Sequence, residues 1–127
     1  MKTLDRVFAW VLLVLGCLHT VGGVVLMLKS LSLDSAWFFS GGLAVIFCAF
    51  LNLVRAYRPP DKAITRTSVL ANLLLLVLAM LLGWVLRHDL GQNPQAIVLI
   101  AIVVLELVLS VRQWSRYKDT PVFNRVR

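Results

Sequence analysis

The stretch RTSVLANLLLLVLAMLLGWVL, residues 66–86, decides the fold of this chain. Its first residue, Arg66, is the only charged residue within it. A helix needs about 20 predominantly apolar residues to cross the roughly 30 Å hydrocarbon core of a bilayer. Three further stretches of similar length and character lie at 7–28, 36–55 and 94–114. We therefore expect four membrane-spanning helices.

The composition leaves no sequence for a separate soluble domain, since 60% of the residues are hydrophobic and only 15% are charged. The connections between the spans are short, which favours antiparallel neighbours. We expect an all-α fold: a single domain over residues 1–127, built as an up-down-up-down four-helix transmembrane bundle with a basic tail at 115–127.

The formal net charge of +7 would suit a nucleic-acid-binding protein, but the positions of the basic residues argue against that partner. All Lys and Arg residues except Lys29 and Arg87 fall at the N-terminus, in the middle loop (where Arg55 is counted) or at the C-terminal end, from Arg112 onwards. Positive charge is retained in the cytoplasm. Both termini are therefore predicted to be cytoplasmic in a multi-pass protein of the inner (plasma) membrane, with anionic headgroups as partners at that face.

The tryptophans give an independent indication of the same boundaries, because amphipathic rings prefer the headgroup level of a bilayer. Trp10 and Trp114 fall at the predicted cytoplasmic boundary, and Trp37 and Trp84 fall at the outer one. No tryptophan is placed in the middle of a span.

The first span could be read as a lipoprotein signal, because residues 14–17, VLGC, resemble a processing site. The apolar run continues through Leu28, which favours an uncleaved first helix. Cys17 and Cys48 both fall within spans, where they are expected to be small apolar fillers. No metal site and no cofactor are predicted.

The ends of the helices carry local signals. Asp34 or Ser35 is expected to cap the second helix. The run 58–61, RPPD, is expected to end that helix, and Asn93 before Pro94 is typical of a cap followed by a first-turn proline.

Small residues at helical spacing predict where helices pack, because they let backbones approach closely in a membrane. A four-residue spacing keeps such residues on one face of a helix. The expected packing residues are Gly16, Thr20 and Gly23 in the first span, Ala36, Ser40, Ala44 and Cys48 in the second, and Ala79 and Gly83 in the third.

Polar side chains inside the spans are the candidate functional site. Glu106 is the most informative, since an ionised carboxylate within hydrocarbon is costly unless it has a partner or water. His19 lies in the first span and could bond to Glu106 if the first and fourth helices are neighbours. Asn52, Asn72 and Ser110 complete the set, and Asn72 shares a row with Ser68 and Thr65. Two interpretations remain open: a polar pocket entered from the cytoplasm, or interhelical hydrogen bonds that determine packing.

Several short motifs carry a resemblance to a known group of proteins. They are LH at 18–19, GG at 22–23, WFFSGGLA at 37–44, LNL at 51–53 and ANL at 71–73. This combination resembles a family of small bacterial proteins with four spans. The resemblance covers most of the chain and implies a four-helix inner-membrane protein, but it implies no activity.

Three classes of function fit the sequence. The first is a structural or accessory bundle that binds a lipid, a partner membrane protein or another copy of itself. The second is a small proton-linked transporter or ligand-binding protein that uses Glu106 and His19. The third is an intramembrane enzyme with the same two residues as an acid–base pair.

Overall fold

A computed structural model describes residues 2–85, 87–88 and 94–118. This part of the chain forms four helices, which are α1 (Lys2–Lys29), α2 (Leu33–Tyr57), α3 (Lys62–Val85) and α4 (Pro94–Lys118). Each is long and apolar enough to cross a membrane. The predicted all-α four-helix fold is confirmed. Helix α1 begins before its predicted span and α4 ends beyond it, because both helices continue into polar residues.

The loop between α1 and α2 is shorter than predicted, and a different residue caps α2. The N-cap is Ser32, whose hydroxyl accepts from the backbone N–H of Ser35 at 3.2 Å. The Ser35 hydroxyl in turn accepts from the backbone N–H of Ser32 at 3.0 Å, which completes a capping box. Ser35 therefore lies in the first turn, as does Asp34, and neither is the cap. Helix α2 ends at Tyr57, before Pro59, as predicted; Asn93 lies outside the described residues.

The helices are arranged in chain order around the bundle, with contacts between α1 and α2, α2 and α3, α3 and α4, and α1 and α4. The start of α1, the α2–α3 loop and the end of α4 share one end, which we call the basic end. The α1–α2 loop and the start of α4 lie at the opposite end, which we call the far end. The predicted proximity of the first and fourth helices is thus confirmed.

Helices α1 and α2 make the most extensive contact, through a seam of glycines. A Cβ atom added at Gly23 would lie 2.7 Å from the Phe39 Cα, and one added at Gly16 would lie 3.0 Å from the Ile46 backbone nitrogen. A Cβ atom at Gly42 would lie 2.7 Å from the Thr20 backbone nitrogen. Because these distances are too short for any side chain larger than hydrogen, the two backbones require glycine here.

The predicted small-residue row in α2 is only partly used within the chain. Ala36 and Ser40 are exposed, Ala44 is half-buried, and Cys48 is buried. The buried face follows a different row, at Ser35, Gly42, Ala49 and Ala56. This row repeats every seven residues and therefore stays on the side that meets α1, whereas the four-residue row drifts away from it. In α3, Ala79 is buried, and a Cβ atom at Gly83 would lie 3.2 Å from Ile100 of α4, so both residues face the bundle as predicted.

Candidate functional site

A buried arginine joins three of the four helices. The Nη2 atom of Arg55, in α2, donates to Asp5 Oδ1 of α1 at 2.5 Å and to Glu106 Oε2 of α4 at 2.7 Å. The side chains of Arg55 and Glu106 have no exposed surface, and that of Asp5 is 12% exposed. Charges removed from water require such partners, because each unpaired ion costs several kcal/mol.

The hydrogen bonding of this charge cluster, Asp5–Arg55–Glu106, is incomplete. Arg55 Nε, Arg55 Nη1 and Glu106 Oε1 are buried and form no hydrogen bond within the described part of the chain. Both ion pairs therefore use one nitrogen of the guanidinium, rather than the paired nitrogens of a bidentate contact. The cluster depends on Arg55 as its single link.

A second polar cluster joins α2 to α3. The amide of Asn52 donates to Asn72 Oδ1 at 2.9 Å, and the amide of Asn72 donates back to Asn52 Oδ1 at 2.9 Å. The Ser68 hydroxyl donates to Asn52 Oδ1 at 2.6 Å, and the Cys48 thiol donates to Asn72 Oδ1 at 3.1 Å. Both asparagines and Ser68 are fully buried. We call this set, Cys48, Asn52, Ser68 and Asn72, the amide cluster.

Both clusters depend on α2. Asn52 and Arg55 are three residues apart, so they lie on the same face in adjacent turns of this helix. Asn52 reaches α3, while Arg55 reaches α1 and α4. Polar contacts from one helix therefore link all four helices at the basic end. Apolar packing alone would allow the helices to shift relative to one another in lipid.

The structure places the predicted site residues in four different surroundings. Glu106 belongs to the charge cluster, and Asn52 and Asn72 belong to the amide cluster. Ser110 is fully buried on the Glu106 face, but its hydroxyl donates to the backbone carbonyl of Leu107 at 2.8 Å in its own helix. His19 stacks on Phe38, with ring centroids 3.7 Å apart.

Two expectations about these residues are corrected by the geometry. Glu106 bonds to Arg55 and not to His19, because His19 lies nearer the far end, against α2. The inner polar groups also do not line an open pocket: Glu106, Asn52 and Asn72 have no accessible surface at all. The row Thr65, Ser68 and Asn72 is confirmed, since all three are fully buried on one face of α3.

Sequence reasoning missed Arg55 and Asp5. Arg55 was counted among the loop charges because it follows the last apolar run of the second span. Its spacing carried the missing signal: Arg55 follows Cys48 by seven residues and Asn52 by three, which places it on the buried polar face of α2. A carboxylate at Glu106 also needs a cation, and Arg55 lies at a comparable depth from the basic end.

Aromatic and basic residues meet at both ends of the bundle. At the basic end the Arg6 guanidinium lies 4.4 Å from the centre of the Tyr57 ring, and Arg66 lies 4.7 Å from the Trp114 ring. Trp10 donates to the Tyr57 hydroxyl at 3.3 Å. At the far end, Arg87 lies 4.9 Å from the Trp84 ring. These contacts place amphipathic rings and cations together at two levels, as at membrane interfaces.

Comparison with protein-family models, curated proteins and solved structures finds no match to this chain. The fold and the two clusters therefore define its class: an all-α bundle of four helices, each able to cross a membrane, with a polar interior at one end.

We expect Asn52→Leu to lower the free energy of unfolding by about 1–2 kcal/mol, because it removes the buried oxygen that accepts the shortest hydrogen bonds of the Asn72 amide and the Ser68 hydroxyl. The double variant Asn52→Leu/Asn72→Leu should recover part of that loss, since the two amides are then removed together. Reversible unfolding in bicelles provides the measurement. Additive losses in the double variant would show that the two amides do not stabilise each other.

Proposed function

We propose that this protein is a non-catalytic accessory bundle of the inner membrane, with both termini in the cytoplasm, that binds anionic lipid headgroups at its basic end. The observation that carries the proposal is the one-sided distribution of exposed cations. Among the side chains that the structure describes, five exposed basic ones lie at the basic end: Arg58, Lys62, Arg66, Arg112 and Arg116. The far end has only Lys29 and Arg87 among the described residues.

The burial of the polar clusters supports an accessory role over transport. The groups that could carry a proton or a polar solute have partners in other helices: the Glu106 carboxylate pairs with Arg55, and the Asn52 and Asn72 amides pair with each other. None of these groups is in contact with solvent. A transport path through the basic end would have to break these contacts. Groups used in this way hold helices in register, and this role needs no substrate.

The outer surface of the bundle supports a partner made of hydrocarbon. Large apolar side chains such as Phe47, Leu74 and Val108 are exposed along α2, α3 and α4. Acyl chains of lipids cover such a surface, and a partner membrane protein or another copy of this chain would suit it equally well. The cations at the basic end would add attraction to anionic headgroups of about 1 kcal/mol for each Lys or Arg near the surface.

We expect the protein to be more stable in nanodiscs that contain phosphatidylglycerol than in nanodiscs of phosphatidylcholine alone. The triple variant Arg58→Gln/Lys62→Gln/Arg112→Gln should lose most of that difference, because it neutralises exposed cations at the basic end without touching the buried clusters. Thermal unfolding followed by circular dichroism provides the measurement. High salt should shrink the effect in the wild type by screening.

The matched control is Lys29→Gln/Arg87→Gln, which removes cations from the far end and should leave the dependence on anionic lipid unchanged. Equal effects of the two sets of substitutions would contradict specific binding of anionic lipid at the basic end.

Orientation is tested separately with an impermeant thiol reagent on Lys62→Cys and Lys29→Cys in sealed vesicles of known polarity. Labelling of Lys62→Cys from the periplasmic side would overturn the proposed topology.

A further inference from the structure

A cavity of about 120 Å³ lies between all four helices, towards the far end. All four helices line it, with Leu15 and His19 of α1, Gly41 of α2, Ala79 of α3 and Ala96 of α4 among the lining residues. It is separate from both polar clusters, which lie at the basic end. Apart from His19 and Gln95, its lining is apolar.

The volume of this cavity is about that needed to hold a small ring-shaped molecule. An engineered apolar cavity of roughly 150 Å³ in another protein remains free of water and binds benzene. A cavity of similar size inside a membrane protein has acyl chains and dissolved apolar molecules as its surroundings. An apolar ring that enters it gains contacts with aliphatic side chains from all four helices, and these contacts favour binding.

The imidazole of His19 makes the cavity chemically specific. One face of the ring stacks on Phe38 at an interplanar angle of 23°. Neither nitrogen forms a hydrogen bond with any residue that the structure describes, although His19 is half-buried. A neutral imidazole has one N–H donor and one acceptor nitrogen. In apolar surroundings an unmade hydrogen bond is costly, so a ligand oxygen that bonds to this ring would be favoured.

We propose that the cavity binds a ring-sized apolar molecule that carries one hydrogen-bonding oxygen, of the phenol or quinone class, with His19 bonded to that oxygen. The aliphatic walls hold the ring, and Phe38 keeps the imidazole in place by stacking against it. Gly41 packs beside the imidazole, since a Cβ atom there would lie at an ordinary contact distance, 3.6 Å, from His19 Nε2.

The test is a ¹⁹F NMR titration of the full-length protein in nanodiscs, with 4-fluorophenol and fluorobenzene as probes and empty nanodiscs as the reference. Both probes should show saturable binding to the wild type, and 4-fluorophenol should bind about fivefold more tightly, as expected for one hydrogen bond. His19→Phe preserves an aromatic ring at this position and should make the two affinities equal. His19→Gln restores a hydrogen-bonding group and should recover part of the preference.

A matched pair of substitutions on α4 tests the location. Ala96→Leu fills the cavity and should weaken both probes about tenfold or more, whereas Ala101→Leu makes the same change on the exposed face and should have no effect. Circular dichroism and size-exclusion profiles identify variants that fold. Equal effects of Ala96→Leu and Ala101→Leu would overturn the site, and so would an unchanged phenol preference in His19→Phe. Partitioning of both probes into empty nanodiscs only would also overturn it.

Discussion

Arg55→Leu is expected to lower the free energy of unfolding by about 3–5 kcal/mol, the largest effect of any single substitution proposed for this chain. The substitution leaves the carboxylates of Asp5 and Glu106 buried close together without a cation. Each then lacks the one charged partner that the described residues give it, and their mutual repulsion adds to the cost of burying them. Packing of the leucine side chain does not compensate, because no solvent reaches Glu106 to replace the lost cation.

The measurement is unfolding of purified protein in bicelles, with Arg58→Leu as the matched control. Arg58 is exposed just beyond the end of α2, so the same change there should shift the free energy of unfolding by less than about 0.5 kcal/mol. The triple variant Asp5→Leu/Arg55→Leu/Glu106→Leu removes all three charges and should recover most of the lost stability. A triple variant less stable than Arg55→Leu alone would show that the charges are not the reason for the loss.

Gly42→Ala is the second large effect that we expect, with a loss of about 1–3 kcal/mol. The added methyl group would overlap the Thr20 hydroxyl and lie 2.7 Å from the Thr20 backbone nitrogen. A backbone atom cannot rotate away, so α1 and α2 must separate along their most extensive contact. The Thr20 hydroxyl, which donates to the Gly16 carbonyl at 2.8 Å, would be displaced as well.

The neighbouring glycine provides the control for this prediction. A Cβ atom at Gly41 would meet only the His19 ring, at 3.6 Å or more, which is an ordinary contact. Gly41→Ala should therefore be neutral or stabilising by up to about 1 kcal/mol, since alanine is the better helix former. Thermal unfolding of the two variants side by side distinguishes steric overlap from helix propensity. A loss of the same size at both positions would contradict the close approach at Gly42.

The sequence predicted the number of helices, their approximate ends and their antiparallel order well, because these features depend on local composition. An apolar run long enough to cross a bilayer is visible without knowing its neighbours, and a short loop leaves adjacent helices antiparallel. Gly16 and Gly23 were also identified correctly as packing residues, since they lie on one face of α1. Ala36 and Ser40 are exposed instead, because spacing alone does not say which face of a helix meets a neighbour.

Which residues pair with one another across helices could be seen only in the tertiary structure. Asp5 and Arg55 are 50 residues apart along the chain, and Arg55 and Glu106 are 51 residues apart. No local pattern joins residues at such distances, and Arg55 has the same side chain as the exposed arginines near it in the sequence, Arg58 and Arg66. The depth and rotation of each helix decide whether an arginine at a span end faces headgroups or a carboxylate.

The sequence by itself determined that this chain has hydrocarbon-spanning helices with most of its cations at one end, because length, hydropathy and charge are properties of each segment. Only the tertiary structure decided that Glu106 bonds to Arg55, that Asn52 pairs with Asn72, and that His19 faces an apolar cavity. These outcomes depend on helix rotation and on contacts between distant segments. In a membrane, small differences in packing and hydrogen bonding decide among such rotations, since burial of apolar surface favours none of them.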